Sequence, residues 1–276
     1  MNTKILYSVL VVFISWTTHA QKITVEGTGF FIQPAKHEVS SERSSMGYAF
    51  SLGYEYDFLP QWSVSTSIGY AKQNYRFYQA RNQGGYSKED IESDSFEFSY
   101  KTSGYSEKIH TQNLRIPLTV QYQTKGILSW YVSSGMAFSI PLAKSESTIK
   151  IDKVSTKGYY PKWDALLSGP DFMGFGEFNK VSDTEKYWLK TGYSWLIETG
   201  VKQRLSHDSH LYIGVYFELG LNDIRPKGKA DNFAVIHGND LAKPLEYSSV
   251  WSDERFKDRN FKNKMIGLKL RYAFSL

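Results

Sequence analysis

The last segment of the chain, residues 264–276, reads KMIGLKLRYAFSL and alternates apolar with polar or small side chains. With the two-residue period of a β-strand, one face carries the apolar side chains and the other carries the charged or small ones. A strand of a soluble sandwich shows the same alternation, so this segment alone leaves the direction of its apolar face open. The apolar face consists of Ile266, Leu268, Leu270, Tyr272, Phe274 and Leu276.

Seven further segments alternate in the same way, and the connections between the eight segments alternate between tight and long. The tight connections lie at 59–61, 124–126 and 207–209, and the longest ones at 79–107, 142–186 and 225–261. A transmembrane barrel sorts its connections like this, with short turns in the periplasm and long loops outside the cell. We therefore predict an all-β, eight-stranded, antiparallel up-and-down transmembrane β-barrel.

The main structural alternative is a soluble barrel of the lipocalin kind, which also has eight antiparallel strands. It would place the apolar face inside and the charges outside, and periodicity does not distinguish the two arrangements. The predicted strand faces are rich in Leu, Ile and Trp. A small barrel has little room for such rows in its interior, so the composition favours an apolar face that points outward to lipid.

The start of the chain has the three regions of a secretory signal peptide. Residues 1–4 form a short basic region, residues 5–16 an apolar core, and residues 18–20 place small side chains at the two positions that decide cleavage. The apolar core is too short for a permanent membrane span. We predict a signal peptide over 1–20 and a barrel domain over 21–276, the alternative being an N-terminal helix kept in the fold.

The composition narrows the class of protein. The chain has no cysteine, which excludes disulfides and a lipid-modified N-terminal cysteine. A formal net charge of +5 is too mild to indicate nucleic-acid binding. The 20 Tyr, 17 Phe and 7 Trp, together with alternating segments behind a signal peptide, are typical of an outer-membrane barrel.

Four motifs resemble the outer-membrane β-barrel family of Bacteroidota-type bacteria, the small PorT-like and OmpX-like barrels. They are NLRIPL at 113–118, YVSSG at 131–135, FELGLNDI at 217–224 and the terminal YAFSL at 272–276. The resemblance implies an integral protein of the outer membrane of a Gram-negative bacterium. Because the family includes accessory subunits of secretion and assembly machines, it also implies a non-enzymatic structural or partner-binding role.

The inward faces of the predicted strands carry five acids and five bases. An eight-stranded barrel is just wide enough inside for side chains, and an unpaired buried charge costs several kcal/mol. We predict a salt-bridge network that fills the lumen, the alternative being an ion path through a narrow pore or transport barrel. The residues are Glu26, Glu55, Asp57, Glu198 and Glu218, with Arg115, Lys190, Lys202, Lys269 and Arg271. Pro117 falls within a strand, where it predicts a β-bulge.

The long connections 142–186 and 225–261 are rich in aromatic side chains. Exposed aromatics are suited to contact with another envelope protein or an extracellular ligand, whereas rings that pack on one another would cap the barrel mouth. Both interpretations stay open from the sequence. The candidate partner-binding aromatics are Tyr159, Tyr160, Trp163, Phe172, Phe175, Phe178 and Trp251.

Catalytic patterns are weak. The run 207–210, HDSH, has the residue types of a catalytic triad or a metal-binding pair. The side chains of adjacent residues in a turn point in different directions, however, so they do not converge on one site. His110 near the outer rim leaves open an outer-membrane lipid-modifying enzyme or protease, although one His without a spaced partner is not a site. No phosphate loop, zinc spacing or dinucleotide motif occurs. We predict no catalytic residues, no cofactor and no metal.

The end of the terminal strand predicts contact with the outer-membrane insertion machinery, with Tyr272, Phe274 and Leu276 as the assembly signal. Deletion of residues 272–276 is therefore expected to block assembly, because it removes this signal and shortens the strand. Cell fractionation followed by heat-modifiable gel migration measures insertion, with the full-length chain as the control. Normal insertion of the truncated chain would contradict this assignment.

Overall fold

The computed structural model describes residues 21–32, 41–42, 45–226, 234–240, 242–252 and 260–275. The predicted signal peptide and Leu276 lie outside this part of the chain. The strands are β1 Gln21–Ile32, β2 Ser41–Glu42, β3 Ser45–Leu59, β4 Trp62–Glu89, β5 Ser95–Gln123, β6 Leu128–Pro141, β7 Ser145–Tyr160, β8 Ala165–Leu167, β9 Gly176–Tyr187, β10 Gly192–Arg204, β11 Ser209–Gly220, β12 Val235–Asp240, β13 Lys243–Tyr247 and β14 Lys264–Ser275.

Eight of these strands close into a ring. The order around the ring is β1, β3, β4, β5, β6, β10, β11 and β14, and β14 pairs again with β1. Every pairing in the ring is antiparallel. The terminal strand closes the barrel, with Tyr272 opposite Val25 on β1 and opposite Leu211 on β11. The predicted eight-stranded up-and-down barrel is confirmed.

The apolar faces of the ring strands point outward. Leu52 is 62% exposed and Leu268 is 67% exposed, whereas Glu55 and Glu198 are at most 1% exposed. A lipocalin-like barrel would show the reverse, so that alternative is wrong. In water such an apolar belt would be unfavourable, whereas lipid matches it. None of the described residues forms a helix with the length and apolar character needed to cross a membrane.

The three tight turns lie at one end of the barrel, and the chain at the opposite end continues as β-structure. Strands β4 and β5 stay paired from Trp62 and Tyr122 to Glu89 and Ser95, far beyond the ring. Strand β7 pairs with the upper part of β5, and β9 pairs with β7. We call this extension, formed by residues 72–112 and 145–187, the platform.

The long connections predicted at 79–107 and 142–186 are therefore long hairpins and not irregular loops. In this region the buried side chains also alternate with polar ones, as Phe96, Phe98 and Tyr100 do on β5. The sequence predicts connections here because these residues include many Ser, Lys and Gly, so their average composition is polar. The tertiary structure supplies the missing apolar partners from β7 and from residues 234–252.

The platform has a hydrophobic core of its own, which continues from the upper end of the lumen. Trp251, 2% exposed, lies at its centre, with ring centroids 5.1 Å from Tyr75, 6.0 Å from Phe77 and 6.0 Å from Phe261. The hairpin of β12 and β13 packs on this core through Val235 and Leu245. Aromatic pairs in these geometries stabilise a core beyond the area they bury.

Two local predictions are wrong. Pro117 causes no bulge: Thr66 lies opposite Leu118 and Gly69 opposite Arg115, so the register is unchanged across it. Between these two pairs, residues 67–68 and 116–117 do not pair with each other, and the Thr66 hydroxyl donates to the Pro117 carbonyl oxygen at 3.0 Å. Lys190 is not in the lumen, because it lies between β9 and β10, with its Nζ 3.9 Å from Asp223.

Candidate functional site

The centre of the lumen is the Arg271 guanidinium on β14, which lies among three carboxylates. Nη1 is 3.0 Å from Glu55 Oε2, Nη2 is 2.9 Å from Glu198 Oε1, and Nε is 3.6 Å from Glu26 Oε1. The guanidinium also lies over the Tyr212 ring, 4.5 Å from its centroid. Arg271 and the three carboxylates are almost fully buried. Such charges are tolerated in a protein interior only when they are paired and hydrogen-bonded.

The other charges of the lumen are arranged around this centre. Lys269 Nζ is 2.9 Å from Glu26 and 3.1 Å from Glu198. Arg115 forms an ion pair with Glu218, which also accepts a hydrogen bond from Ser194 at 2.5 Å. Ion pairs thereby join β14 to β1, β3 and β10, and join β5 to β11, across the interior of the ring.

The turn end of the lumen has a second group of polar contacts. Lys22 Nζ is 2.9 Å from Glu55 and 2.5 Å from Asp57. Lys202 Nζ donates to Gln123 Oε1 at 2.8 Å. Together with the central group, these contacts bring together nine of the ten residues that the sequence places in the lumen, all except Lys190.

Lys22 is the lumen base that the sequence reasoning missed, and Lys190 is the one it placed wrongly. Lys22 has the same parity as Thr24 and Glu26 on β1, which would have identified it as inward-facing. Its position at the very start of the strand, next to the predicted cleavage site, hid that signal. Lys190 appeared inward only because the alternation of β10 was extended past the start of that strand at Gly192.

Little empty space is left in the middle of the lumen. A void of about 20 Å³ lies beside Glu26, Arg115 and Lys269, enough for about one water molecule. A wider cavity of about 160 Å³ lies at the turn end, beside Gln123 and Lys202. Charged side chains therefore fill the middle section of the lumen.

The far end of the platform contains a larger pocket of about 450 Å³. The tip of the β4–β5 hairpin, the β7–β9 connection and the β12–β13 hairpin all contribute to its wall. The wall is mostly apolar and aromatic, and three carboxylates lie among its residues. The aromatic part includes Tyr160, Trp163, Phe172, Phe175 and His237, and the carboxylates belong to Asp90, Glu92 and Asp240.

His237 connects the walls of this pocket. Its ring stacks on Phe175, with centroids 5.2 Å apart, and its Nε2 is 2.8 Å from the Met173 carbonyl oxygen. Its backbone N–H donates to the Tyr86 hydroxyl at 2.8 Å, and Lys88 Nζ donates to its carbonyl oxygen at 2.5 Å. Burial lowers the pKa of His237, so its ring is neutral at pH 7.

The predicted partner-binding aromatics divide into three groups. Trp163 and Phe172 are 54% and 61% exposed and border the pocket. Tyr159 and Phe178 are partly buried. Tyr160, Phe175 and Trp251 are buried: Tyr160 and Phe175 line the pocket wall, whereas the Trp251 ring packs inside the core of the platform and presents no surface to a partner.

Glu107 on β5 holds residues 248–251 in place, and no sequence signal singled it out. It accepts hydrogen bonds from the hydroxyls of Ser147 and Ser249 at 2.5 Å each, from Tyr105 at 2.8 Å and from the Val250 N–H at 2.9 Å. It is fully buried, and in the described residues no cation pairs with it. Its desolvation raises the pKa of its carboxyl group.

The histidines considered for catalysis do not form a catalytic arrangement. His110 is exposed on the platform, with Nδ1 2.6 Å from Asn74 Oδ1. In the 206–209 turn the Ser206 and Ser209 hydroxyls bond to each other at 2.7 Å. Among the described residues, no three His, Cys, Asp or Glu side chains are placed to hold a metal ion.

Replacing the central guanidinium tests the lumen network. Arg271→Met is expected to lower the free energy of unfolding by about 3–5 kcal/mol, because it leaves buried carboxylates short of a counter-charge. Lys162→Met is the control, since this exposed lysine, 2.8 Å from Asp94, pairs in solvent and its loss is expected to cost far less. Urea unfolding in detergent micelles measures both. Equal losses in the two variants would contradict a structural role of the network.

The buried carboxyl group of Glu107 predicts a pH dependence of the platform. Because its folded-state pKa is raised, the folded platform takes up a proton before the unfolded chain does as the pH falls. The platform therefore gains stability as the pH falls through the raised pKa toward the ordinary value of 4.5. We expect the hydrogen-exchange protection factor of the Val250 amide to be higher at pH 5.5 than at pH 7.5, and Glu107→Gln to remove this difference. An unchanged pH dependence in Glu107→Gln would contradict the assignment.

Residues 19–225 match the profile of the outer membrane protein beta-barrel domain family. No curated protein matches the chain. Solved structures that resemble it include Neisserial surface protein A, with a TM-score of 0.39, 8% identity and coverage of 93% of this chain and 97% of that one. OprG from Pseudomonas aeruginosa has a TM-score of 0.38 and 11% identity, covering 94% and 98%. Ail of Yersinia pestis, in complex with the heparin analogue sucrose octasulfate, has a TM-score of 0.32 and 10% identity, covering 94% and 100%.

The family match spans most of the chain and agrees with the closed ring and its outward apolar belt. In such barrels the short turns face the periplasm, so the platform lies outside the cell. The chain belongs to the outer membrane protein beta-barrel domain family and is an integral β-barrel of the outer membrane of a Gram-negative bacterium.

Proposed function

We propose that this protein is a non-enzymatic binding barrel, whose lumen is closed and whose platform binds a partner outside the cell. The observation that supports this most directly is the pocket of about 450 Å³ at the far end of the platform. Pockets of this size, with apolar walls and a few polar groups, are the usual form of a small-molecule or side-chain binding site. The platform's hydrophobic core supports the pocket from below.

The pocket wall favours a positively charged group on a flat apolar body. Asp90, Glu92 and Asp240 supply negative charge, and the lining includes no Lys or Arg. In the part of the chain that the structure describes, none of the three carboxylates forms a salt bridge with a cation within 4 Å. Aromatic walls complement a cation and its apolar body together.

The positively charged group that the pocket favours belongs to an extracellular ligand or to another envelope protein. The narrower likeness to PorT-like and OmpX-like barrels, carried by NLRIPL at 113–118, supports an accessory role. Outer-membrane lipid contacts the apolar belt, and the insertion machinery contacts the terminal strand, where Tyr272 and Phe274 lie on β14. For the non-enzymatic role, the support is that, among the residues the structure describes, His110 bonds to the Asn74 amide oxygen and to no hydroxyl group.

Isothermal titration of the detergent-solubilised protein tests the pocket. Tyramine carries an ammonium group on a flat ring, and tyrosol, in which a hydroxyl replaces the ammonium, is its neutral counterpart. We expect tyramine to bind on the order of tenfold more tightly than tyrosol, which corresponds to about 1.4 kcal/mol. Glu92→Gln combined with Asp240→Asn should remove that preference.

The matched control for charge is Glu97→Gln combined with Glu246→Gln. These two exposed carboxylates lie on the platform and on β13 but not in the pocket wall. We expect this control to keep the preference for tyramine. Equal binding of tyramine and tyrosol, or an equal loss in both double variants, would contradict the proposed ligand class.

Planar-bilayer recording tests the closed lumen separately. The void of about 20 Å³ in the middle section leaves no continuous space for hydrated ions. We expect no step-like conductance from the reconstituted protein. Regular single-channel steps would instead support the alternative of a narrow pore.

A further inference from the structure

Three cations lie together on the outer face of the platform. Arg76 on β4 is directly opposite Lys108 on β5, and Lys150 on β7 is one step diagonal to Lys108, since Thr148 is its direct partner. All three side chains are exposed. Directly opposed residues have Cβ atoms about 5 Å apart and diagonal ones about 7–8 Å. We call Arg76, Lys108 and Lys150 the cation cluster.

The cation cluster is not neutralised by the protein. In the described residues, no acidic side chain lies within 4 Å of its charged atoms. Two other exposed lysines of the platform are ion-paired: Lys153 with Glu177 at 2.9 Å and Lys186 with Glu146 at 3.2 Å. Like charges directly opposite each other on a sheet are destabilising. The arrangement is therefore one that an external anion would stabilise.

The cluster lies on the same side of the wall as the lipid-facing residues. On β4 the exposed row passes through Ile68 and Tyr70, and continuing in steps of two leads to Arg76. Six residues along a strand tilted by about 40° rise about 15 Å, at about 3.3 Å per residue. Aromatic rows mark the border of the apolar belt, so the cluster faces the polar headgroup layer outside it.

From this placement we propose that Arg76, Lys108 and Lys150 bind a phosphate group in the headgroup of an outer-leaflet lipid. The Arg guanidinium is suited to two parallel hydrogen bonds to phosphate oxygens, and the two ammonium groups add positive charge on either side. Basic residues beside a membrane surface attract anionic headgroups in this way. This site is separate from the pocket at the far end of the platform, and it does not depend on the ligand proposed for that pocket.

Lipid binding to the full-length protein in mixed detergent micelles tests this proposal. The probes are lipid A with its phosphates, the same lipid after dephosphorylation, and inorganic phosphate. The variant Arg76→Gln, Lys108→Gln, Lys150→Gln is compared with a control, Lys153→Gln, Lys186→Gln, Lys243→Gln, which removes the same charge from lysines that are ion-paired. Heat-modifiable migration verifies that both variants are folded.

We expect the wild-type protein and the control variant to bind phosphorylated lipid A more tightly than the dephosphorylated lipid. The cluster variant should lose about fivefold in affinity per charge, on the order of a hundredfold in total. Unchanged binding by the cluster variant, or an equal loss in the control, would overturn the proposal. Inorganic phosphate that binds as tightly as lipid A would also overturn it, by showing a site for free anions.

Discussion

The barrel depends on one buried guanidinium in its last strand. Arg271 contacts Glu26 on the neighbouring strand β1, but it also contacts Glu55 on β3 and Glu198 on β10, which are not neighbours of β14. Backbone ladders join only adjacent strands, so these side-chain contacts are what connect the ring across its interior. Because the carboxylates are buried, each needs the Arg271 guanidinium as its counter-charge. The buried guanidinium needs the carboxylates for the same reason.

The filled lumen and the platform are consequences of the same closed ring. A ring of eight strands has an interior that side chains fill, so its middle section offers little volume for a ligand. The larger pocket occurs where the strands have left the ring and neighbouring hairpins diverge at the platform tip. Three kinds of site therefore lie at different heights along the barrel. Ion pairs lie in the lumen, exposed cations lie on the lower part of the platform, and a mostly aromatic pocket lies at its end.

The strands of the ring could be predicted from the chain because each has a strict two-residue alternation with the polar side inward. The same rule identified Glu26, Glu55, Glu198, Glu218 and Arg271 as residues of one face. It could not identify Glu107, because the side chains that surround this carboxylate come from Ser147 and from residues 249–250, distant in sequence. It also failed at strand ends, where Lys22 was missed and Lys190 was included.

By itself, the sequence determined the class, the number of ring strands and the two faces of each, because these follow from local alternation and the sorting of connection lengths. Only the tertiary structure decided that the long connections are paired strands and which aromatic rings are buried. Those features depend on contacts between segments far apart in the chain, and alternation carries no information about which segment packs against which. The placement of Arg76 opposite Lys108 belongs to the same group, since a register between two strands exists only once they have paired.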